Sequence, residues 1–500
     1  MSYISPSTSL PQSTGATSSA NSLHISSIHI VDDDSLLNIF YLYRPFLLGE
    51  DEDDEARLVG GSRGWAGEHW WIKLTHVCRR WRILILRSAS YLDLCLVCTM
   101  GTPVADMLAH SPPFPIVIDF FRHDITAEDE EEIILALEQR DRIRRIRLEI
   151  PVLNLQNLIV FIIEEYPMLE YLTMAPLFSD KSTNLKLPET LRAPRLRHLG
   201  LFGFAIPRRP QLLTTAVGLV TLCLAMADPS TYFHPTVLLQ WITLMPQLKT
   251  LVVLFYFPVP NRDVERQLLR MPSLEHITLP HLRHFWFRGV SAYVESFVRR
   301  ISAPRLQKLQ ILFFEQLTFS IPHLVQFMDT TENLRFSDGK LQFFDEHVDV
   351  ELYPREEADD ETEMYAFQIR VHCWHLDWQV SSVAQILNAL GQRFSAVEHL
   401  TLVHEAHSQS SNEHGNVDRI EWRKLLRPFS NVKTLYIDDG LVEEISRCLQ
   451  LEDGEDPLEL LPELQELTYS GSDDTDDPFI SFIDARQSSG HPVTLVPVLS

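Results

Sequence analysis

Apolar residues recur in a short pattern along most of the chain, from about residue 125 onward. The pattern is Pro-x-Leu-x-x-(Leu or Ile), and most copies carry a further apolar residue two positions later. The final positions alternate as the residues of a half-buried strand do, and helix-like stretches such as 158–165, 237–244 and 383–390 precede the copies. The repeated unit is therefore predicted to be a helix, a turn and a strand. Copies with the proline start at Pro167, Pro194, Pro246, Pro272, Pro304 and Pro462, and related copies without it have anchors at Ile143, Leu219, Val397 and Val432.

Successive helix and strand units predict an α/β fold with a parallel sheet covered by helices, because each helix carries the chain back to the starting end of the next strand. The charges of the first unit agree with this. Thr126 can cap a helix whose first turns hold the acidic residues 128–132, and Arg140 and Arg142 follow its end, where the helix dipole favours cations. Because the copies are unevenly spaced, we expect an irregular solenoid.

Residues 315–395 depart from the repeat. Three strand-like segments, 335–344, 348–353 and 367–373, are interrupted by the acidic run 356–363, which predicts a hairpin-like β insertion near 333–375 on the sheet. The sequence ends with a helix-like segment, 479–486, and an apolar strand, 493–498. These two segments are expected to form a C-terminal cap over the last repeat.

The apolar pattern before the repeats predicts two short helices. Three aspartates, 32–34, precede a cluster of leucine, isoleucine and phenylalanine, which predicts the start of the first helix. In the second segment, apolar residues at alternating steps of three and four predict one stripe of a single helix. So much apolar surface on two small helices needs a cover, either a partner or the solenoid. The stripe consists of Trp71, Leu74, Cys78, Trp81 and Ile85.

Composition sets the expected domain limits. Residues 1–27 are rich in serine and threonine and almost uncharged, so a disordered tail is expected. The stretch 49–67 combines an acidic run with five glycines and predicts a mobile loop. We therefore expect a helical domain over 28–98 and an irregular solenoid over 99–500.

Two strings in the helical domain carry a family resemblance. Asp34-Ser35-Leu36-Leu37-Asn38-Ile39-Phe40 and, more specifically, Val77-Cys78-Arg79-Arg80-Trp81-Arg82 resemble an F-box. The resemblance implies docking on the Skp adaptor of a cullin ubiquitin ligase. The residues that it implies for adaptor binding are Leu36, Leu37, Ile39, Phe40, Leu74, Val77, Cys78 and Trp81.

The repeated part resembles a leucine-rich-repeat solenoid, and the whole chain is similar to the F-box proteins with degenerate leucine-rich repeats of mushroom-forming fungi. The resemblance implies parallel strands on a concave face, helices on a convex face, and a substrate receptor without chemistry of its own. The alternative is a leucine-rich-repeat scaffold whose F-box is vestigial or serves as part of the solenoid's cap. A third hypothesis, an enzyme with a site outside the known motifs, has no candidate residues.

The variable positions inside the predicted strands should point away from the helices and are the candidates for target binding. They form a mixed polar set, which is equally what an ordinary solvated strand face would show. The candidates are Tyr171, His198, Lys249, His276, Lys308, His399 and Tyr436.

Charge narrows the partner classes. The chain has 43 lysines and arginines against 68 aspartates and glutamates, a formal net charge of -25, which repels nucleic acid and anionic membranes. No apolar run approaches the roughly 20 residues of a membrane helix, and no secretory signal is expected. Six scattered cysteines favour reduced thiols, so we expect a cytoplasmic or nuclear protein.

Catalytic, cofactor and metal sites are not expected. Cys95-x-x-Cys98 lies in an apolar stretch and lacks a second cysteine pair, which favours structural thiols. His404, His407 and His414 lie in a polar loop that is expected to be solvated. A Gly-x-Ser-x-Gly turn, a phosphate-binding glycine loop and a His-Glu-x-x-His helix are all absent from the sequence. We therefore expect a non-enzymatic protein that binds other proteins.

Overall fold

The computed structural model describes residues 31–44 and 70–499, apart from 122–123, 178–184, 208, 258–275, 315, 317, 332, 335, 355–364, 406–416, 453 and 472–476. The described residues fall into two compact units. Residues 31–44 and 70–94 form a helical unit, and residues 95–499 form a sheet unit. The tail 1–27 and the loop 49–67 lie outside the described residues. The helical unit stops before residue 98, the limit expected from the sequence, because Leu96–Cys98 is a strand of the large sheet.

The helical unit consists, in its described residues, of α1 (Asp33–Tyr43), α2 (Trp70–Thr75) and α3 (Arg79–Arg87). Asp32 caps α1, where its carboxylate accepts a hydrogen bond from the Ser35 N–H at 2.9 Å. The predicted single helix through residues 71–85 is wrong. Cys78 has an extended backbone and acts as the N-cap of α3, its sulfur accepting from the Trp81 N–H at 3.5 Å, so that the chain turns between α2 and α3.

A large sheet organises the sheet unit, and within the described residues it contains sixteen strands in the order β1-β2-β3-β4-β6-β8-β9-β11-β13-β16-β15-β14-β17-β18-β19-β20. Its pairs are parallel except for those made by β15. The strands are β1 (Leu96–Cys98), β2 (Ile116–Phe121), β3 (Ile143–Pro151), β4 (Tyr171–Leu177), β6 (His198–Phe202), β8 (Thr221–Met226), β9 (Thr250–Phe255), β11 (His284–Gly289), β13 (Lys308–Phe313), β14 (Asp338–Phe344), β15 (His347–Tyr353), β16 (Phe367–His372), β17 (His399–Glu405), β18 (Thr434–Ile437), β19 (Glu466–Gly471) and β20 (Thr494–Leu499).

Short elements and helices lie between these strands. Two small parallel sheets pair β5 (Leu185–Lys186) with β7 (Phe204–Ala205) and β10 (Ile277–Thr278) with β12 (Ile301–Ser302). The helices are α4 (Val104–His110), α5 (Ala127–Leu137), α6 (Val152–Ile159), α7 (Gln211–Thr215), α8 (Pro235–Ile242), α9 (Ser291–Val298), α10 (Pro322–Asp329), α11 (Leu376–Ala389), α12 (Gly391–Phe394), α13 (Arg419–Leu426), α14 (Val442–Leu449) and α15 (Ile480–Ser488). None of these described helices is long and apolar enough to cross a membrane.

The leucine positions of the repeat explain why these segments form a sheet. The parallel register places them side by side, and all of them are buried, so that each strand extends one continuous apolar layer. Helices pack on this layer: the rings of Phe285 and Phe297 lie 5.5 Å apart, and those of Phe343 and Trp422 lie 5.4 Å apart. The row runs through Leu172, Leu199, Leu222, Leu251, Phe285, Leu309 and Phe367.

The repeat copy predicted at Pro272 is not a strand of the large sheet. Ile277 and Thr278 pair with β12 instead, and β11 lies between β9 and β13. In β11, Phe285 and Phe287 fill the two buried positions that leucines fill elsewhere. Another correction concerns the stretch 158–165, since α6 ends at Ile159 and the chain then leaves the helix.

Several predicted elements are confirmed. Thr126 caps α5 in a capping box: its hydroxyl accepts from the Asp129 N–H at 3.1 Å, and the Asp129 carboxylate accepts from the Thr126 N–H at 3.1 Å. The three strands of the β insertion exist as β14, β15 and β16, although they are built into the sheet rather than added to it. The predicted final helix and strand are α15 and β20. The fold class is confirmed as α/β with a mostly parallel sheet and helices.

Candidate partner-binding surfaces

The residues implied for adaptor binding differ in their exposure. Leu36 and Phe40 are buried, so neither offers contact area to a partner as the chain is folded. Ile39 and Val77 are 51% and 57% exposed. The remaining four residues are half-buried, and the accessible part of the predicted set is therefore narrower than the sequence suggested. These four are Leu37, Leu74, Cys78 and Trp81.

The buried residues hold the helical unit together. Phe40 meets the Trp81 ring edge-on, with 4.8 Å between the ring centroids, and this contact joins α1 to α3. At the start of α1, the Arg80 guanidinium donates to the Asp33 carboxylate at 2.7 Å and to the Val31 carbonyl at 2.6 Å. The Phe40–Trp81 ring contact and the Arg80–Asp33 ion pair thus determine which face of α1 is left exposed.

An exposed apolar surface on α1 extends beyond the predicted set. Ile39, Leu42 and Tyr43 follow the i, i+3, i+4 spacing and therefore lie on one helix face. Leu42 is 75% exposed, and the Tyr43 ring lies 6.3 Å from the Trp70 ring. We refer to these three residues as the α1 face. The position of Leu42 three residues after Ile39 was a usable signal that the sequence reasoning missed.

The predicted target-binding residues of the sheet unit are only partly brought together. Tyr171 and His198 are register partners at the start of β4 and β6, and Lys308 and His399 begin strands further along the same row. Tyr436 lies one outward position further along its strand. The other two candidates are separate: Lys249 directly precedes β9, and His276 precedes β10, outside the large sheet.

Most of these candidates bind neighbouring residues of the sheet. His198 Nδ1 lies 3.1 Å from the Thr221 hydroxyl, and the Tyr436 hydroxyl lies 2.8 Å from that of Ser470. Lys308 is buried, with its ammonium 4.4 Å from the centroid of the Tyr365 ring. This row therefore resembles the laterally bonded face of a sheet more than an open binding site.

A second group of side chains lies at the opposite ends of the central strands. Alternation places them on the strand face, the side of the sheet opposite the leucine layer. In the register, Arg288 lies between Leu254 and Leu312, and Arg370 follows on the next strand. We call this group the Arg288 cluster. It consists of Tyr256, Trp286, Arg288, Phe314, Arg370 and His372.

The two arginines of the cluster have different surroundings. Arg370 forms a bidentate ion pair with the buried carboxylate of Asp349, its Nε and Nη2 donating to the two carboxylate oxygens at 2.6 and 2.5 Å. Arg288 instead lies between two aromatic rings, 4.8 Å from the centroid of Tyr256 and 5.6 Å from that of Phe314. Among the described residues, no carboxylate lies within ion-pairing distance of Arg288. Its charge therefore has no ion-pair partner in this part of the chain, and burial lowers its pKa.

His372 lies beside these arginines, and its pKa is lowered to about 4, mainly by burial. The positive charges of Arg288 and Arg370 and the neighbouring His347 lower this pKa further, whereas Asp349 raises it by a smaller amount. The imidazole is therefore neutral at pH 7. The positive charge of the cluster comes from its arginines.

The depressed pKa of His372 predicts a pH-dependent stability. Since the unfolded chain binds a proton near pH 6.5 and the folded chain only near pH 4, stability should fall as the pH drops through that interval. Because the side chain is half-exposed, we expect a loss of about 1 to 2 kcal/mol. The loss is the difference between urea-unfolding free energies at pH 7 and pH 4.5. His372→Gln should remove that part of the difference, and equal pH profiles for both proteins would contradict the assignment.

Sites for metal or reactive thiols find little support in the described residues. No three histidine, cysteine, aspartate or glutamate side chains there are grouped to hold a metal ion. His404 lies in β17, whereas His407 and His414 lie outside the described residues. Cys98 is buried in β1, and burial raises its thiol pKa to about 12, which makes the thiolate scarce at neutral pH.

No family model matches the chain, and no curated protein matches it. Among solved structures, the chain is similar to the leucine-rich repeat-containing protein LegL7 from Legionella pneumophila, with 11% sequence identity and a TM-score of 0.26. The match covers 79% of this chain and 98% of that protein.

Proposed function

We propose that this protein is the substrate receptor of a Skp-cullin-F-box ubiquitin ligase. The helical unit binds a Skp-type adaptor and, through it, a cullin, while the sheet unit holds a target protein. The chain supplies proximity, because a bound target places its lysines near the ubiquitin-charged enzyme. Catalysis belongs to other subunits.

The exposed apolar side chains of the helical unit carry this proposal. Ile39, Leu42 and Val77 are each more than half exposed, although burial of such aliphatic side chains is worth about 1.5 to 3 kcal/mol apiece. They lie in or beside the two strings that resemble an F-box. Exposed apolar surface on a small unit is typical of a protein interface.

Co-expression with a Skp-type adaptor tests the proposal. We expect the native chain to elute with the adaptor as a stoichiometric complex in size-exclusion chromatography. Changing Ile39→Asp together with Val77→Asp should weaken the complex more than tenfold, because two buried carboxylates would face an apolar partner. Both positions are exposed, so the fold of the chain should be retained, which circular dichroism verifies.

Leu153→Asp is the matched control. Leu153 is an aliphatic residue of α6 with 69% exposure, but it belongs to the sheet unit. The control should bind the adaptor like the native chain. If the native chain itself fails to bind, the scaffold hypothesis with a vestigial F-box replaces the ligase role. If the double variant binds as well as the native chain, the exposed side chains of Ile39 and Val77 are not the docking surface.

A further inference from the structure

The Arg288 cluster lies beside an apolar floor on the strand face. Four small or aliphatic side chains from β8 and β9 form the floor, and Phe202 and Trp286 pack against it while remaining partly exposed. Tyr256 is 50% exposed. A molecule that reaches this place meets three aromatic rings around a region of low dielectric. The floor consists of Cys223, Ala225, Val252 and Leu254.

Unsatisfied hydrogen-bonding groups mark the same place. Within the described part of the chain, the Nε1–H of Trp286 and the Nε–H of Arg288 are buried donors without an acceptor, two positions apart on the outward side of β11. On the neighbouring strand, the buried Oε1 of Gln310 has no donor among the residues that the structure describes. Buried polar groups are normally paired, since leaving one unpaired costs about 1 to 3 kcal/mol. Peptide groups supply both the missing acceptors and the missing donor.

Charge defines the ligand further. Among the described residues, Arg288 has no ion-pair partner in a chain whose formal net charge is -25, whereas the charge of Arg370 is neutralised by Asp349. One desolvated cation matches one carboxylate. A phosphate with nearly two negative charges would keep about one of them unbalanced here.

We propose that the Arg288 cluster binds an extended segment of a target protein, in which an aspartate or glutamate side chain pairs with Arg288. A neighbouring apolar side chain of the same segment packs on Tyr256 and Trp286. The inference rests on the proposed receptor function and names the class of target segment. It moves the binding site from the strand starts, where the predicted candidates lie, to the carboxyl ends of β9, β11, β13 and β16.

Peptide selection on the full chain tests the inference. A phage-displayed library of random dodecapeptides is panned on the immobilised protein, and enriched sequences are synthesised with a fluorescent label for polarisation measurements. We expect enriched peptides to carry Asp or Glu within two residues of an apolar residue. Replacing that acid by its amide should weaken binding at least tenfold, and a phosphoserine at that position should bind no better than the acid.

Receptor variants locate the site. Arg288→Gln should bind the acidic peptide at least tenfold more weakly than the native protein does. The same variant should bind the amide form of the peptide as well as the native protein does, and Arg288→Lys should retain part of the affinity for the acidic peptide. Arg283→Gln is the matched control, because Arg283 is an exposed arginine just before the other end of β11. A library that yields no binder, binders without a carboxylate, or unchanged binding by Arg288→Gln would overturn the inference.

The two proposals can fail separately. Adaptor binding without acidic-peptide binding contradicts the inference but leaves the ligase role standing. Acidic-peptide binding without adaptor binding supports the site and favours the scaffold hypothesis.

Discussion

Replacing Phe255 by alanine should lower the free energy of unfolding of the sheet unit by about 4 kcal/mol. Phe255 is 1% exposed and lies at the centre of an aromatic group that joins β9 and β11 to α9 and to the segment before α8. Truncation removes the ring and leaves a cavity that these rigid neighbours cannot fill. Its neighbours, with ring-centroid distances of 5.0 to 6.4 Å, are Tyr232, Phe233, Phe257, Phe287 and Tyr293.

Urea unfolding followed by tryptophan fluorescence measures this loss, since Trp241 lies 5.3 Å from Phe233 in the same group. The next residue supplies the control. Tyr256 points to the opposite side of the sheet and is half-exposed, so that Tyr256→Ala should cost less than about 1 kcal/mol. Equal losses at the two positions would show that the aromatic group does not hold the sheet and its helices together.

The leucine repeat was sufficient to predict the parallel sheet and its helices because burial demands an apolar residue at each inward position. The leucine pattern failed to predict the strand whose inward residues are phenylalanines. Ile277 and Leu279 match the pattern but precede the actual strand, while Phe285 and Phe287 of β11 fill the inward positions with rings. A pattern restricted to leucine and isoleucine could not distinguish the two segments.

The helical unit shows a different limit. Apolar residues from Trp71 to Ile85 continue at helical spacing through a place where the helix stops, because Cys78 caps α3 with its sulfur. Periodicity records which side chains share a buried side. It does not record whether the backbone between them stays helical.

The Arg288 cluster could not be predicted without the strand order. Arg370 reaches the neighbourhood of Arg288 because β13 pairs with β16, and β14 and β15 lie further along the sheet although they come earlier in the chain. The cation is also distinguished by what surrounds it: two aromatic rings and no carboxylate among the described residues. A sequence lists arginines, but it does not show which of them lack an acidic partner.

Arg486 is buried in α15 and should be the residue whose loss most destabilises the C-terminal helix and strand. Its guanidinium donates to the carbonyls of Pro457, Pro462 and Leu464, at 3.3, 2.9 and 3.2 Å. Arg486→Met keeps most of the side-chain volume but leaves three carbonyls without their donor. We expect the variant to lose about 3 kcal/mol of local stability.

Hydrogen exchange is the suitable measurement, because α15 and β20 can open while the rest of the sheet stays folded. Faster exchange is expected in α15, β20 and β19, since β19 loses its pairing with β20 when β20 opens. The strand edge of β19 that is then uncovered promotes aggregation. Arg427→Met is the control: Arg427 forms an exposed ion pair with Glu459 at 2.9 Å, worth at most about 1 kcal/mol. If both variants exchange alike, the carbonyl contacts of Arg486 do not hold α15 and β20 in place, and their stability then comes from apolar packing such as that of Phe479 on Tyr469.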